Sequence, residues 1–432
     1  MASWFSRLPH RPRFGPLEPW QRDQYLVVLT VALAQIGSDL SQPFLPLYIR
    51  ELGVSDLQEA AFWAGLVVGI APLSSGLMGP IWGSLADRFG RKAMVLRALV
   101  LISLMQFAIA VVPDVYWLVA ARFVHGAVAG FTPMAMALAI SIGPRERMAN
   151  AIGLIQAAQF LPTAIGPPIG GLLSDAFGVR VNFMVTGLLM LVPAVFLFFV
   201  IKEGTYAGPS DESAGSAGVE ERAAPERSSL IRLLLMPSFA IALGILFMTR
   251  FTDKALVPIL PLYLVEVDTP AAQLATITGF VVASGAVAAG GSAMFYGRWA
   301  RPENTRLLLL VALAGGAACS ALLALAQDWI RVAVLRLVLG MLAGGAASLG
   351  FAYGLRLAPP HRSAATLSML ASSGQFGGAL SGVLMGVVSQ AGLHFAFLAN
   401  AGAYLVAVAL TALPSREAAR SESPGQAARA QT

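Results

Sequence analysis

An all-α integral membrane protein is expected from this sequence, with twelve transmembrane helices in two pseudo-symmetric six-helix bundles. Three observations lead there. Hydrophobic residues make up 57% of the 432-residue chain and charged residues 12%, with a mean hydropathy of +0.71; soluble domains average about 45–50% and about 25%. Twelve apolar segments approach or exceed the roughly 20 residues that a spanning helix needs, and no alternating ten-residue segments suggest a barrel. The chain also nearly repeats itself. Pro43-Phe44-Leu45-Pro46-Leu47-Tyr48 returns as Pro258-Ile259-Leu260-Pro261-Leu262-Tyr263 at an offset of 215. Arg122 and Gly126 return as Arg336 and Gly340 at 214, and Gln159-Phe160 with Gly166 and Gly170 returns as Gln375-Phe376 with Gly382 and Gly386 at 216.

Residues 1–23 read as a basic arm, with Arg7, Arg11, Arg13 and Arg22 among prolines and the bulky Trp4, Phe5 and Phe14. No short apolar core with a small-residue cleavage site follows, so a membrane-surface segment is expected in place of a removable signal peptide. The first bundle covers 24–201, with spans at 24–50, 60–86, 94–112, 115–142, 148–173 and 179–201. Several exceed the bilayer thickness, which implies tilt or extension into water. Span one carries Gln35, Asp39 and Gln42 before its two prolines, and Arg97 in span three is expected to anchor near the membrane surface. Residues 202–232 are rich in Gly, Ser, Ala, Pro and Glu, cannot bury enough apolar surface to fold alone, and read as a flexible cytoplasmic linker. The second bundle, 233–413, has spans at 235–265, 271–297, 303–326, 329–358, 366–391 and 392–413; a disordered tail at 414–432 is expected.

Charge distribution sets an orientation. With both termini in the cytoplasm, 21 of the 29 Lys and Arg residues lie inside, Arg50, Arg180 and Arg331 outside, and Arg97, Arg122, Arg250, Lys254 and Arg336 within spans. This is the positive-inside bias. The net charge of +6 therefore reports topology, and no nucleic-acid partner is expected. Trp63, Trp117 and Trp329 fall at outer helix ends and Trp20, Trp82 and Trp299 near inner ones. Cys319 is the single cysteine, which leaves no disulfide and no cysteine-rich metal site. Of His10, His125, His361 and His394 only His125 is mid-span, without a metal-ligand cluster around it, and no phosphate-binding loop is present. An intramembrane enzyme, a bound metal or cofactor and an ATP-driven pump are accordingly not expected.

The strongest local signal joins spans two and three. Gly83-Ser84-Leu85-Ala86-Asp87-Arg88-Phe89-Gly90-Arg91-Lys92 resembles the G-x-L-a-D-R-x-G-R-K signature of the major facilitator superfamily at every defining position. The resemblance implies a cytoplasmic latch that holds the halves together in the outward-open state. The equivalent loop, Gly291 to Asn304, keeps Gly297 and Arg298 but has no acid. Arg122-Phe123-Val124-His125-Gly126 resembles the family's R-x-x-Q-G motif, with His125 in place of glutamine. There the arginine is implicated in proton coupling; a helix-bracing arginine is the other reading. His125 reads either as a packed, hydrogen-bonded residue or as a titrating one. Gly153, Pro162, Gly166, Pro167, Gly170 and Gly171 resemble the antiporter motif G-x8-G-x3-G-P-x2-G-G, with Pro162 for its second glycine. Ordinary small-residue packing would give a similar pattern.

The Pro-x-x-Pro-Leu-Tyr end of span one is similar to that of the superfamily's twelve-span drug–proton antiporters, although Ala34 stands where many of these place an acid. The resemblance implies proton-coupled efflux of amphipathic organic compounds or drugs by alternating access, from a cavity between the halves. A narrow-specificity metabolite or organic-anion transporter, exporting or importing, is the alternative. A lipid bilayer, a small-molecule substrate and protons are the expected partners, for a monomer in a bacterial inner membrane with both termini cytoplasmic.

Candidates for proton coupling or charge pairing are Asp39, Arg122, Arg250, Asp253, Lys254 and Arg336. The offset of 215 sets Asp39 against Lys254, so a pair between the halves is plausible, with Asp39 as proton carrier and Asp253 as the second candidate. Arg250 and Asp253, three apart on one helix face, could neutralise each other. Permanent pairing that only positions helices is the plainer reading. Phe44, His125, Gln156, Gln159, Phe160 and Gln375 are cavity candidates from their span positions.

Overall fold

The computed structural model describes residues 18–142, 148–200, 236–301, 303–356 and 363–413. Among them are sixteen α-helices and no strand. The first eight are α1 (Pro19–Ser41), α2 (Leu45–Glu51), α3 (Leu57–Phe89), α4 (Arg91–Ala110), α5 (Val115–Val128), α6 (Phe131–Ile142), α7 (Met148–Phe177) and α8 (Val179–Val200). The second eight are α9 (Pro237–Ala255), α10 (Leu260–Glu266), α11 (Leu274–Trp299), α12 (Thr305–Leu323), α13 (Trp329–Ala343), α14 (Ala346–Arg356), α15 (Ser363–Val388) and α16 (Leu393–Ala412). The two sets correspond one to one.

Spans one, four, seven and ten of the sequence reading each arrive as a broken pair: α1–α2, α5–α6, α9–α10 and α13–α14. Local chemistry explains the breaks. Pro43 and Pro46 lack the N–H that would continue α1, so Gln42–Phe44 tighten into a 3₁₀ turn. Gly130 takes φ +86 between α5 and α6, a conformation that costs other residues strain. Among the described residues, seven helical stretches are long and apolar enough to cross a bilayer by themselves. They correspond to α3, α4, α8, α11, α12, α13–α14 and α16, and with the remaining helices the arrangement is consistent with twelve crossings. One boundary is corrected: residues 19–23, read as part of the arm, are helical. Pro19 occupies the first turn, and Glu18 and Gln21 form a reciprocal capping box in which the Glu18 N–H donates to Gln21 Oε1 at 3.1 Å. Residues 1–17, the 202–232 linker and the 414–432 tail lie outside the described residues.

The side where α1 begins and α16 ends is here the termini face, and the opposite side the far face. Tertiary contacts repeat between the bundles. Asp114 caps α5 by accepting from the N–H groups of Tyr116 and Trp117, and Asp328 caps α13 by accepting from that of Arg331. Tyr48 donates to the Ile109 carbonyl at 2.9 Å and packs on Phe183; Tyr263 donates to the Ala326 carbonyl at 2.8 Å and packs on Phe397. Lys92 reaches the Phe198 carbonyl at the end of α8, and Arg306 reaches those of Thr411, Ala412 and Leu413 at the end of α16. A cation at a helix C-terminus is favourable in both places.

The bundles meet along α3 with α15 and along α7 with α11, two pairs that the repeat exchanges. A Cβ on Gly65 of α3 would collide with the Gly382 carbonyl, and a Cβ on Gly279 of α11 with the Pro167 carbonyl. Gly386 lies on Ala61 and Phe62, and Gly171 on Ala275 and Thr276. These contacts equate Gly382 and Gly386 with Pro167 and Gly171, not with Gly166 and Gly170 as the third sequence landmark had it. That segment is therefore also offset by 215.

Closure is one-sided. Gly65 and Gly69 of α3 pack on α15, yet Gly76 and Gly83, seven and fourteen residues after Gly69 and so on the same helix face, have open space around them. On α11, Gly279 is packed, while Gly290 and Gly297 are open. One buried apolar core joins the bundles at the far face, with Phe44, Ala61 and Leu260, and continues within the second bundle to its termini side, with Phe239 and Tyr353. A separate core within the first bundle, with Val31, Leu99, Ala135 and Leu197, serves the termini side. The space between the bundles thus opens to the termini face.

Candidate functional site

The antiporter-like segment of α7 consists of two interleaved stripes, each with period four. Gly166 and Gly170 face α1, where added Cβ atoms would collide with the backbone at Asp39 and Leu40; Pro167 and Gly171 face α11 of the other bundle. One short stretch therefore ties the middle of α1 to the contact between the halves. Small residues on both faces permit that approach.

Asp39 sits at this junction. Its carboxylate accepts from Thr163 Oγ1 at 2.8 Å and from Gln35 Nε2 at 2.9 Å. Lys254 lies across the gap, close enough for its charge to act on Asp39, but no ion pair forms between them. The pair suggested by the repeat is thus replaced by hydrogen bonds. Lys254 Nζ instead lies 3.8 Å from Asp253 Oδ2, and Arg250 Nη1 lies 3.9 Å from the same oxygen. Arg336 adds a third positive charge to the field at Asp253. Its side chain crosses Gly285, with Nε unpartnered among the described residues.

The equivalent position in the first bundle is drier. Arg122 is 3% exposed and its Nε donates to the Val67 carbonyl at 3.4 Å. His125, one turn on, is buried, and neither ring nitrogen has a partner among the described residues. The hydrogen-bonded histidine considered from the sequence is therefore not found among them. Gly126 lets α5 approach the Ala71 carbonyl and the Ser74 hydroxyl.

Phe44 does not line the cavity. It is fully buried beside Gly170, because the 3₁₀ turn swings it into the core. Gln375 is exposed on α15. The side chains of Gln156, Gln159 and Phe160, the surroundings of Gly153 and the Asp87 carboxylate lie outside the described residues. Pro162 is buried in α7. In the latch motif, Gly83 has open space, Gly90 turns the chain from α3 into α4 with φ +91, and the exposed Arg88 lies 5.5 Å from the Phe89 ring. Arg91 begins α4, and Lys92 serves α8 as described above.

Two contributors, and the partners of a third, were not legible in the sequence. Asp175, at the end of α7, accepts from the N–H groups of Ala275 at 3.0 Å and Thr276 at 2.7 Å. It thereby supplies the other bundle's α11 with the cap that Gln273 does not provide. The missing cap in Pro270-Ala271-Ala272-Gln273 was the available signal. Arg97, read as a surface anchor, stacks on Trp82 at 3.6 Å and donates to the Val128 and Ala129 carbonyls, while Trp82 donates to that of Ala127. Together they brace the break between α5 and α6, and Tyr296 does the same on α13 through Leu342. Thr163 had no signal beyond lying one turn from Gly166.

A family model for the Major Facilitator Superfamily matches residues 27–328 and 243–431. Among curated proteins, the multi-drug resistance efflux pump PmrA homolog of Lactococcus lactis is 29% identical over 74% of this chain and 76% of its own length. The multidrug resistance protein MdtG of Yersinia enterocolitica is 30% identical over 74% and 75%. A solved bacterial homologue of the human lysosomal transporter Spinster, in an inward-facing and occupied conformation, superposes with a TM-score of 0.73 at 18% identity, over 93% of this chain and 98% of the other.

Proposed function

The chain belongs to the major facilitator superfamily, and we propose that it works as a proton-coupled exporter of amphipathic organic compounds, drugs among them, by alternating access. Its one-sided closure carries this reading. Repeat-related contacts join the halves toward the far face, while the same helix faces lie open toward the termini face. Relatives named as multidrug pumps support the substrate class and the outward direction. With both termini in the cytoplasm of a bacterial inner membrane, the state described is inward-facing. The latch motif engages in the opposite state.

Asp39 is the proposed proton carrier. Its partner Thr163 lies four and eight residues before Pro167 and Gly171, the residues that clasp α11. Protonation removes the charge that the Thr163 and Gln35 donors serve, and a neutral acid must donate where the carboxylate accepted. The exchange alters how α7 is held against α1, and with it the far-side closure. Arg122, Arg250, Asp253, Lys254 and Arg336 set the cavity field in which that proton moves. No enzymatic step is involved, and a monomer suffices.

Flux in proteoliposomes with an imposed pH gradient tests the reading. Uphill movement of amphipathic dyes that stops when a protonophore collapses the gradient is the expected result. Flux that persists without the gradient contradicts proton coupling, and absence of flux for every amphiphile contradicts the substrate class.

A further inference from the structure

The second bundle presents a cationic seat built into its helix packing. Arg250 and Lys254 are one turn apart, about 20 and about 26 Å along α9 at 1.5 Å per residue. Opposite them on α15 stand Gly374 and Gly378, again one turn apart. A Cβ at Gly374 would sit 2.8 Å from Arg250 Cγ, and one at Gly378 would sit 3.3 Å from Lys254 Cγ. The two glycines form the trough in which both stems lie, fixing where the charged heads emerge. Both heads are about half exposed, and that of Lys254 lies near enough to Asp39 of the other half for the charges to interact, which turns it toward the space between the bundles.

One acid does not use up these cations. Asp253 lies 3.9 Å from Arg250 and 3.8 Å from Lys254, beyond the 2.7–2.9 Å of a charge-assisted hydrogen bond, and the three side chains are 41%, 51% and 56% exposed in chain order. Arginine offers five donors and lysine three, so most of that capacity is unspent. Arg336 adds a third positive charge. Charge in mid-membrane is expensive unless paired. Here the pairing is incomplete, which leaves both cations with donors available to an anion in the cavity.

We propose that Arg250 and Lys254 bind the anionic head of the transported amphiphile, a carboxylate, sulfonate or phosphonate, whose apolar body lies in the space between the bundles. This deepens the exporter reading and rests on it for the word transported; the seat itself is testable by binding alone.

The test uses the full chain in phosphatidylcholine nanodiscs, which hold no anionic lipid, and three probes with one apolar body: pyrenebutyric acid, pyrenebutyramide and pyrenebutylamine. The acid is expected to bind about tenfold more tightly than the amine. R250Q and K254Q should each weaken the acid about fivefold or more and leave the amide unchanged, which also reports that the variants are folded. R250K and K254R should recover most of the acid affinity. Amine binding equal to or tighter than acid binding overturns the proposal, as does an equal loss for all three probes with the charge-conserving variants no better. A chain that binds the acid selectively yet moves nothing across proteoliposomes refutes the exporter reading and leaves the seat. One that exports the amine and ignores the acid refutes the seat alone.

Discussion

Asp39 and Asp175 are both carboxylates at helix contacts, but they hold different partners. Asp39 is bonded by side chains within its own bundle, and Asp175 by backbone N–H groups of the other. D39N keeps an acceptor for Thr163 but cannot take up a proton. It is expected to lower gradient-driven flux at least tenfold while substrate exchange without a gradient continues; proteoliposome flux in the two modes checks this. Asp175 is exposed, so its two bonds are worth only roughly 1 kcal/mol, or about fivefold in an equilibrium. D175A should favour opening at the far face by about that factor, read as faster maleimide labelling of a cysteine introduced at Ser55 on a C319S background. Unchanged labelling would make the carboxylate a local cap without a gating role. Neither partner set was legible in the sequence. An acid's importance can be guessed from its span, but the atoms around it depend on how closely two helices approach.

Helices α3 and α11 each carry one small-residue stripe that is packed at one end and bare at the other. If each end closes in turn, bulk at either end should trap the opposite state. G65V would strike the Gly382 carbonyl and hold the far face open, whereas G83V has room in the present state and should obstruct closure at the termini face. Both variants should lose at least tenfold in flux, with opposite accessibility of the cavity to membrane-impermeant thiol reagents. The span pattern was readable because hydrophobic runs and the repeat are properties of sequence alone. Breaks such as α1–α2 were visible only as prolines. The repeat register in α7 and α15 was read one residue off, because the doublet Gly170-Gly171 lets Gly386 match a glycine at either phase, and only backbone contact decides. The partners of Arg97 were not legible, because the carbonyls it serves are exposed only by the break at Gly130.

At the largest scale, the described residues form two related bundles with a space between them, sealed toward one face. The positive-inside bias implies cytoplasmic termini, and on that expectation a C-terminal fluorescent protein that folds only in the cytoplasm should be bright, while an exported phosphatase fused there should be inactive. The decisive test is a pair of distances across the bundle interface, one near each face, recorded from spin labels in proteoliposomes. On a C319S background, labels at Ser55 and Glu266 report the far face, and labels at Gly76 and Ser372 report the termini face. Rocking requires the first distance to lengthen as the second shortens when a proton gradient and substrate are applied. Two distances that stay fixed, or that change in the same sense, would contradict alternating access between these bundles.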